Sequence, residues 1–208
     1  MTPAEATKRV QEADAQLQAS EPRPFPLPVG ELLPIVAGTV AALDKADWWV
    51  PGLRERAGAA ARDVPIERLV DGLVGARPYR IAPPGASGAL RALYAVGLAL
   101  ASSDRAVVVH LGIGSMSDGA VHEALNLAAL HEAPIVFVVA VHPLDGDAPL
   151  GPQCAAPPAK LAAAFGLEVT EVDGTSAKAV HAAVKKAKKQ GRPHLIEARL
   201  PSKTPEDS

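Results

Sequence analysis

The second half of the chain alternates short apolar segments with longer segments of helical spacing. Residues 106–111 and 134–141 are continuous apolar runs, which are typical of strands buried on both faces. Residues 168–172 and 194–198 predict two further strands, and helices are predicted between these segments. Strands that alternate with helices form parallel crossover units. The pattern therefore predicts an α/β fold in which helices flank both faces of a parallel sheet.

The first half of the chain predicts helices, at 3–19, 31–43, 51–62, 66–74 and 87–101. Thr2 is the predicted N-cap of the first helix, and Pro3 lies in its first turn. Weak spacing of its apolar residues indicates a helix that is loosely held or that serves a partner. Four prolines between residues 21 and 28 predict an extended connector. We therefore divide the chain into a helix with a Pro-rich connector, 1–29, and one α/β domain, 30–208.

Composition and charge exclude several classes of protein. Apolar residues make up 48% of the chain, which is enough for a full core, and aromatic residues only 3%. The net charge of −2 gives no indication of a nucleic-acid partner or an anionic membrane surface. The apolar runs are too short to span a bilayer, and the single Cys154 fits a reducing compartment. These features predict a soluble, cytoplasmic protein.

The turn after the strand at 106–111 carries the most specific motif. It reads Gly112-Ile-Gly-Ser-Met-Ser-Asp-Gly-Ala-Val-His-Glu-Ala-Leu-Asn126. This segment resembles Gly-Asp-Gly-Ala-Thr-Ser-x-Gly-x-x-His-Glu-Ala-Leu-Asn of the alpha subunit of thiamine-diphosphate-dependent pyruvate and branched-chain 2-oxo acid dehydrogenases. Other segments similar to that family occur in the same order: Asp47-Trp-Trp-Val-Pro-Gly-Leu-Arg-Glu55, Pro134-Ile-Val-Phe-Val-Val139, Val172-Asp-Gly174 and Pro193-His-Leu-Ile-Glu-Ala198. The resemblance covers about residues 31–200 and implies the thiamine-diphosphate-binding fold.

The resemblance also implies a magnesium ion that joins the cofactor's diphosphate to the protein. The family places a carboxylate ligand in the middle of Gly-Asp-Gly, where this chain has Ile113. It places a second ligand in an Asn-Asn pair, which matches Val141 and His142. Magnesium prefers oxygen ligands, which isoleucine lacks, and imidazole is a poorer ligand than an amide. A backbone carbonyl near Leu144 is the third ligand, and any side chain leaves it in place.

Three further departures accompany these replacements. The family's Tyr-Arg, which contacts the diphosphate, is Leu53-Arg54 here, so the guanidinium remains. Its Gly-Gln-Glu-Ala stretch matches Glu31-Leu-Leu-Pro34, and the predicted loop at 75–85 is shorter than the family's. The resemblance thus implies a degenerate cofactor pocket, with no predicted catalytic or metal-binding residue. Its candidate residues are Arg54, Gly112, Ile113, Gly114, Ser115, His142 and Leu144.

Each candidate also has a structural interpretation. Ile113 is interpreted as apolar bulk that fills a vacated pocket, and adaptation to another ligand is the alternative. The glycines of the turn, Gly112, Gly114 and Gly119, are interpreted as allowing close backbone approach, or else as holding an anion at a helix N-terminus. Asp118 is interpreted as a helix cap rather than a replacement carboxylate.

Polar side chains outside the turn are given mainly structural roles. His122, Glu123 and Asn126 are expected to form polar pairs at a subunit interface, since the family has this helix at one. His142 is interpreted as a loop residue that faces a pocket. Cys154 has no basic partner nearby in sequence, which argues against a reactive thiol. The lysines at 185, 186, 188 and 189 are interpreted as a solvated helix end.

Together these features predict a non-catalytic homologue of the alpha subunit that binds no cofactor. It would act as an oligomeric scaffold or regulatory subunit, in a homo-oligomer or in a hetero-oligomer with a beta-like dehydrogenase subunit. One alternative is an oxidoreductase subunit, completed by a beta-like partner, that binds thiamine diphosphate with magnesium and decarboxylates a 2-oxo acid. The other alternative is a binding module for another small anion.

Overall fold

The computed structural model describes residues 1–20, 27–70, 77–83, 87–102, 105–142 and 154–201. Within these residues the strands are β1 (Trp48–Val50), β2 (Val107–Gly112), β3 (Ile135–Val141), β4 (Glu168–Asp173) and β5 (His194–Arg199). The α-helices are α1 (Pro3–Ala19), α2 (Leu33–Ala42), α3 (Ile66–Val70), α4 (Gly88–Ala101), α5 (Gly119–Leu130), α6 (Pro158–Ala164) and α7 (Ala177–Gln190). Segments of 3-10 helix lie at Gly30–Leu32, Arg54–Arg62, Arg77–Tyr79 and Ile113–Ser117.

The described strands form one parallel sheet in the order β1-β2-β3-β5-β4. Successive side chains of a strand point to opposite faces, so each central strand supplies two hydrophobic clusters. Val108 belongs to the cluster beneath α1, α2 and α7, whereas Val107 and Val109 belong to the cluster beneath α4 and α5. The predicted fold, a parallel sheet with helices on both faces, is confirmed.

The sequence missed the edge strand β1. Trp48 pairs with Val107 and Val50 with Val109, and Trp49 also forms a bridge to Ile81. Three residues are too few to show an alternating pattern, and the pairing with β2 depends on a segment about sixty positions away. The predicted loop at 75–85 therefore contributes Ile81 to the sheet edge; residues 75, 76, 84 and 85 lie outside the described part.

Helix α1 packs tightly against the domain, so the prediction of a loosely held helix is wrong. Its apolar residues Ala6, Val10, Ala13 and Leu17 are buried and share a cluster with α2. The predicted N-cap is confirmed: Thr2 Oγ1 accepts a hydrogen bond from the Glu5 amide, and Glu5 accepts one from the Thr2 amide. Most of the Pro-rich connector lies outside the described residues, and the domain boundary at residue 30 stays a prediction.

The predicted helix at 51–62 is a 3-10 helix over Arg54–Arg62, packed against Trp49. A side chain at Gly58 would come within 2.5 Å of the Trp49 ring. The missing Cβ thus lets this segment pass directly over the indole.

The interpretation of the C-terminal lysines as a solvated helix end is wrong for Lys188. Its side chain is buried, and its Nζ lies 2.6 Å from carboxylate oxygens of both Asp44 and Asp47. Arg62 donates a hydrogen bond to the carbonyl of Asp47 at 2.9 Å. These contacts join the end of α7 to the turn that precedes β1.

Candidate functional site

A cavity of about 420 Å³ lies at the carboxyl ends of β1, β2 and β3. Gly52 and Arg54 follow β1, Gly112 ends β2 with Ile113 to Ser115 directly after it, and His142 follows β3. The carboxyl ends of parallel strands meet at one edge of a sheet, where open α/β folds bind their ligands. The volume falls within the range of small-molecule sites. This edge is therefore the candidate site.

Six of the seven candidate residues line this one cavity. They are Arg54, Gly112, Ile113, Gly114, Ser115 and His142. Leu144 lies outside the described residues. Positions separated by almost ninety residues in sequence thus share one cavity, while their role in binding stays a prediction.

Ile113 packs into the hydrophobic cluster beneath α4 and α5, and only 5% of it is exposed. It supplies apolar bulk, but the cavity beside it remains open, so the interpretation that it fills the pocket is not confirmed. The interpretation that the glycines allow close approach is wrong for Gly112 and Gly119, since a Cβ at either position would meet no described atom within 4 Å. The alternative, an anion held at this turn, stays a prediction.

Asp118 is the N-cap of α5. Its Oδ1 accepts a hydrogen bond from the Ala120 amide at 2.9 Å, and the helix begins at Gly119. A cap carboxylate offsets unpaired amides at the positive end of the helix. The structural interpretation of Asp118 is therefore confirmed.

Beside the cavity, the Arg54 guanidinium and the His142 ring approach a single carboxylate. Arg54 Nη2 lies 2.9 Å from Glu31 Oε1, and His142 Nδ1 lies 3.5 Å from the same oxygen. Burial alone raises the pKa of Glu31, but its backbone hydrogen bond and the charge of Arg54 outweigh burial and lower the pKa below its ordinary value. Glu31 is therefore ionised at neutral pH and balances charge at the cavity.

Sequence reasoning missed two buried charged residues that line the cavity, Glu55 and Arg91. Burial raises the pKa of Glu55, although its backbone hydrogen bond and the charge of Arg91 act in the opposite direction. A side chain at Gly52 would collide with the Glu55 carboxylate, so the glycine makes room for it. Glu55 ends one of the family-like segments, and Arg91 is the single charged residue of an otherwise Ala/Leu-rich helix. These two features of the sequence could have identified Glu55 and Arg91 as candidate site residues.

Other candidates lie outside this cavity. His122 Nε2 is 2.8 Å from the carbonyl oxygen of Met116, while Glu123 and Asn126 are exposed. Cys154 is buried and donates to the carbonyl of Ala156 at 2.8 Å. Among the residues that the structure describes, no group of three His, Cys, Asp or Glu side chains could hold a metal ion. In the same part of the chain, no helix has the length and apolar character needed to cross a membrane.

Comparison with known proteins gives one consistent relationship. The family model described as "Dehydrogenase E1 component" matches residues 4–199. The chain is 33% identical over 177 residues to the 3-methyl-2-oxobutanoate dehydrogenase subunit alpha of Mycobacterium tuberculosis, covering 77% of this chain and 48% of that protein. It is 31% identical over 150 residues to the 2-oxoisovalerate dehydrogenase subunit alpha of Bacillus subtilis, covering 68% and 46%. The chain thus spans about half the length of the curated relatives it matches.

Transketolases are among the solved structures with the same fold. The transketolase of Campylobacter jejuni superimposes with a TM-score of 0.70 at 18% identity, covering 95% of this chain and 37% of the other. That of Leishmania mexicana gives 0.69 at 17% identity, covering 96% and 36%. At these identities the likeness establishes the fold alone.

The described cavity does not fit a magnesium diphosphate held in the way the resemblance implies. Ile113 offers no oxygen, and His142 is directed at Glu31. Of the two nearby carboxylates among the described residues, Glu31 contacts the Arg54 guanidinium and the His142 ring, and burial favours the neutral form of Glu55. A hard cation needs several ionised or carbonyl oxygens that are directed at it.

Proposed function

Because this chain belongs to the dehydrogenase E1 component family, we propose that it is a non-catalytic member that serves as a scaffold or regulatory subunit. In this proposal it assembles with a beta-like dehydrogenase subunit and performs no decarboxylation itself. A cytoplasmic location is part of the proposal and is supported by the single, buried cysteine.

The observation that carries the proposal is the position of Ile113. It follows β2 directly at the cavity wall, where the resemblance implies the magnesium carboxylate, and it is buried in an apolar cluster. An ionised side chain placed there would lose hydration, and a metal ion there would meet an apolar side chain. The remaining charges around the cavity support the same conclusion, since Arg54 and His142 approach Glu31.

The outer surface of α4 supports an assembly role. The one charged residue of this helix, Arg91, is buried, whereas Leu90 and Leu100 are 61% and 43% exposed. Leu130, at the end of the neighbouring α5, is 71% exposed. Exposed apolar side chains on neighbouring helices are typical of protein interfaces. We assign this surface, Leu90, Tyr94, Leu100 and Leu130, to the beta-like subunit, because the relatives are named as alpha subunits of dehydrogenases.

A second candidate function is an active subunit that binds thiamine diphosphate once its beta-like partner is present. An open cavity of about 420 Å³ that keeps Arg54 on its wall favours this candidate. The two candidates differ in whether the cofactor binds with its metal.

Calorimetric titration of the purified protein with thiamine diphosphate and magnesium separates the candidates. We expect no metal-dependent heat from the wild-type protein, with or without a coexpressed beta subunit. Micromolar binding that requires magnesium would contradict the non-catalytic proposal, and absence of binding in the presence of the beta subunit would contradict the second candidate. Ile113→Asp and the neutral Ile113→Asn form a matched pair. Because the cavity is open beside residue 113, metal-dependent heat in the aspartate variant alone would identify this position as the missing metal ligand.

A further inference from the structure

Glu31 lies in the 3-10 segment Gly30–Leu32 and reaches the cavity through its contacts with Arg54 and His142, which line it. Arg54 Nε donates to the carbonyl of Pro28 at 3.4 Å, and its Nη2 donates to Glu31. Between them, Gly30 adopts a left-handed backbone conformation with φ +52°. A Cβ at Gly30 would lie 3.3 Å from Arg54 Nη2, and the conformation itself disfavours any other residue. This segment therefore holds the Glu31 carboxylate against the guanidinium.

The contacts of Glu31 change the charge that a ligand would meet. Among the described residues, the ionisable side chains that line the cavity are Arg54, Arg91, Glu55 and His142. Without Glu31 the cationic groups are in excess, which favours an anion. The Glu31 carboxylate lies 2.9 Å from Arg54 and offsets the charge of the guanidinium that it contacts. Electrostatic attraction between Arg54 and a polyanion is therefore weakened.

We propose that Glu31 sets the ligand specificity of this cavity by acting as a resident anion for Arg54 and His142. The cavity then accepts neutral or singly charged ligands and rejects polyanions such as diphosphates. The specificity has two sources: the Glu31 carboxylate repels polyanions, and it already contacts the Arg54 and His142 side chains. This inference deepens the proposed function and rests on it in one respect, namely that the cavity is not a metal-loaded cofactor site.

Titration with inorganic pyrophosphate in the presence of a chelator tests the role of Glu31. Glu31→Gln keeps the shape of the side chain and removes its charge. Glu12→Gln is the matched control, because it makes the same charge change on an exposed residue of α1. The double variant Glu31→Gln/Arg54→Gln removes the guanidinium that the anion would contact. Thermal unfolding of each variant establishes that it is folded.

We expect Glu31→Gln to bind pyrophosphate at least about tenfold more tightly than the wild-type protein and the Glu12→Gln control. The double variant should return to the wild-type affinity. Equal affinity of Glu31→Gln and the wild-type protein for pyrophosphate would overturn the proposal. Tighter binding of pyrophosphate that persists in the double variant would also overturn it. If Glu31→Gln and the smaller Glu31→Ser both fail to fold, Glu31 is required for the fold and its specificity role is also overturned. Because the titration contains neither thiamine nor metal, its result is independent of the thiamine diphosphate titration.

Discussion

His110 is a buried histidine in the middle of β2, close to the cavity wall. Its ring lies edge-on to Trp49 with centroids 5.9 Å apart, and its carbonyl accepts a hydrogen bond from Arg91. Burial, together with the charge of Arg91, lowers the pKa of His110 from 6.5 to about 3. The folded protein therefore binds fewer protons than the unfolded chain between these two pH values. The stability contributed by the neutral ring is complete above pH 6.5 and is lost as the pH falls toward 3.

Replacement of His110 by phenylalanine tests this linkage, because an aromatic ring remains beside Trp49 but cannot bind a proton. Between pH 7 and pH 5 the wild-type protein should lose about 2 kcal/mol of unfolding free energy relative to His110→Phe. Urea unfolding of both proteins across this range measures the difference. A difference that stays constant with pH would show that His110 does not titrate as its burial requires.

Residue-level prediction from the sequence succeeded where a motif fixed the position of a side chain. Ile113 and His142 were placed at the cavity because they follow recognisable strands. Arg91 and Glu55 were missed as site residues, since a residue's direction within a helix depends on what that helix packs against. The pairing of Glu31 with His142 was also missed. This contact joins the segment Gly30–Leu32 to the end of β3, and no pattern of neighbouring residues in the sequence predicts such a long-range contact.

The helix α1 behaves as part of the domain core, not as an appendage. Leu17 is fully buried, whereas its neighbour Gln16 is exposed. We expect Leu17→Ala to lower the free energy of unfolding by about 3 kcal/mol, because it removes buried methyl groups and leaves a cavity. Gln16→Ala should change it by less than about 0.5 kcal/mol. Urea unfolding compares the two variants, and equally small changes would support the loosely held helix that the sequence predicts.

At the level of elements, local patterns identified most helices and the four longer strands. Continuous apolar runs of six or more residues identify buried strands well, as in β2 and β3. The three residues of β1 carry no such pattern and become a strand by pairing with Val107–Val109. Helix α1 was located correctly, but its burial was not predicted, because small residues such as Ala6 and Ala13 make a weak apolar stripe. Close packing with α2 buries that stripe even though its residues are small.

At the scale of the whole molecule, the exposed apolar side chains of α4, together with Leu130 of α5, form the surface that we assign to a beta-like subunit. Leu90→Lys/Leu100→Lys places two charges on this surface and should abolish copurification with the beta subunit of a branched-chain 2-oxo acid dehydrogenase. Gln11→Lys/Gln16→Lys adds the same charge to the exposed side of α1 and should leave copurification unchanged. Equal retention of the beta subunit by both variants contradicts this assignment. If the purified wild-type chain forms a dimer that only the first variant disrupts, the surface instead joins two copies.

The packing of α2 against α7 has a consequence for how the chain acquires its structure during synthesis. A Cβ at Gly38 would lie only 2.6 Å from the carbonyl oxygen of Ala177, so the two helices fit together closely. At 5–20 residues per second, Val180 leaves the ribosome roughly 7 to 28 s after Gly38. Throughout that interval the apolar surface of α2 lacks its final neighbour and is available to chaperones. The nascent first half is thus the segment that depends most on protection before folding is complete.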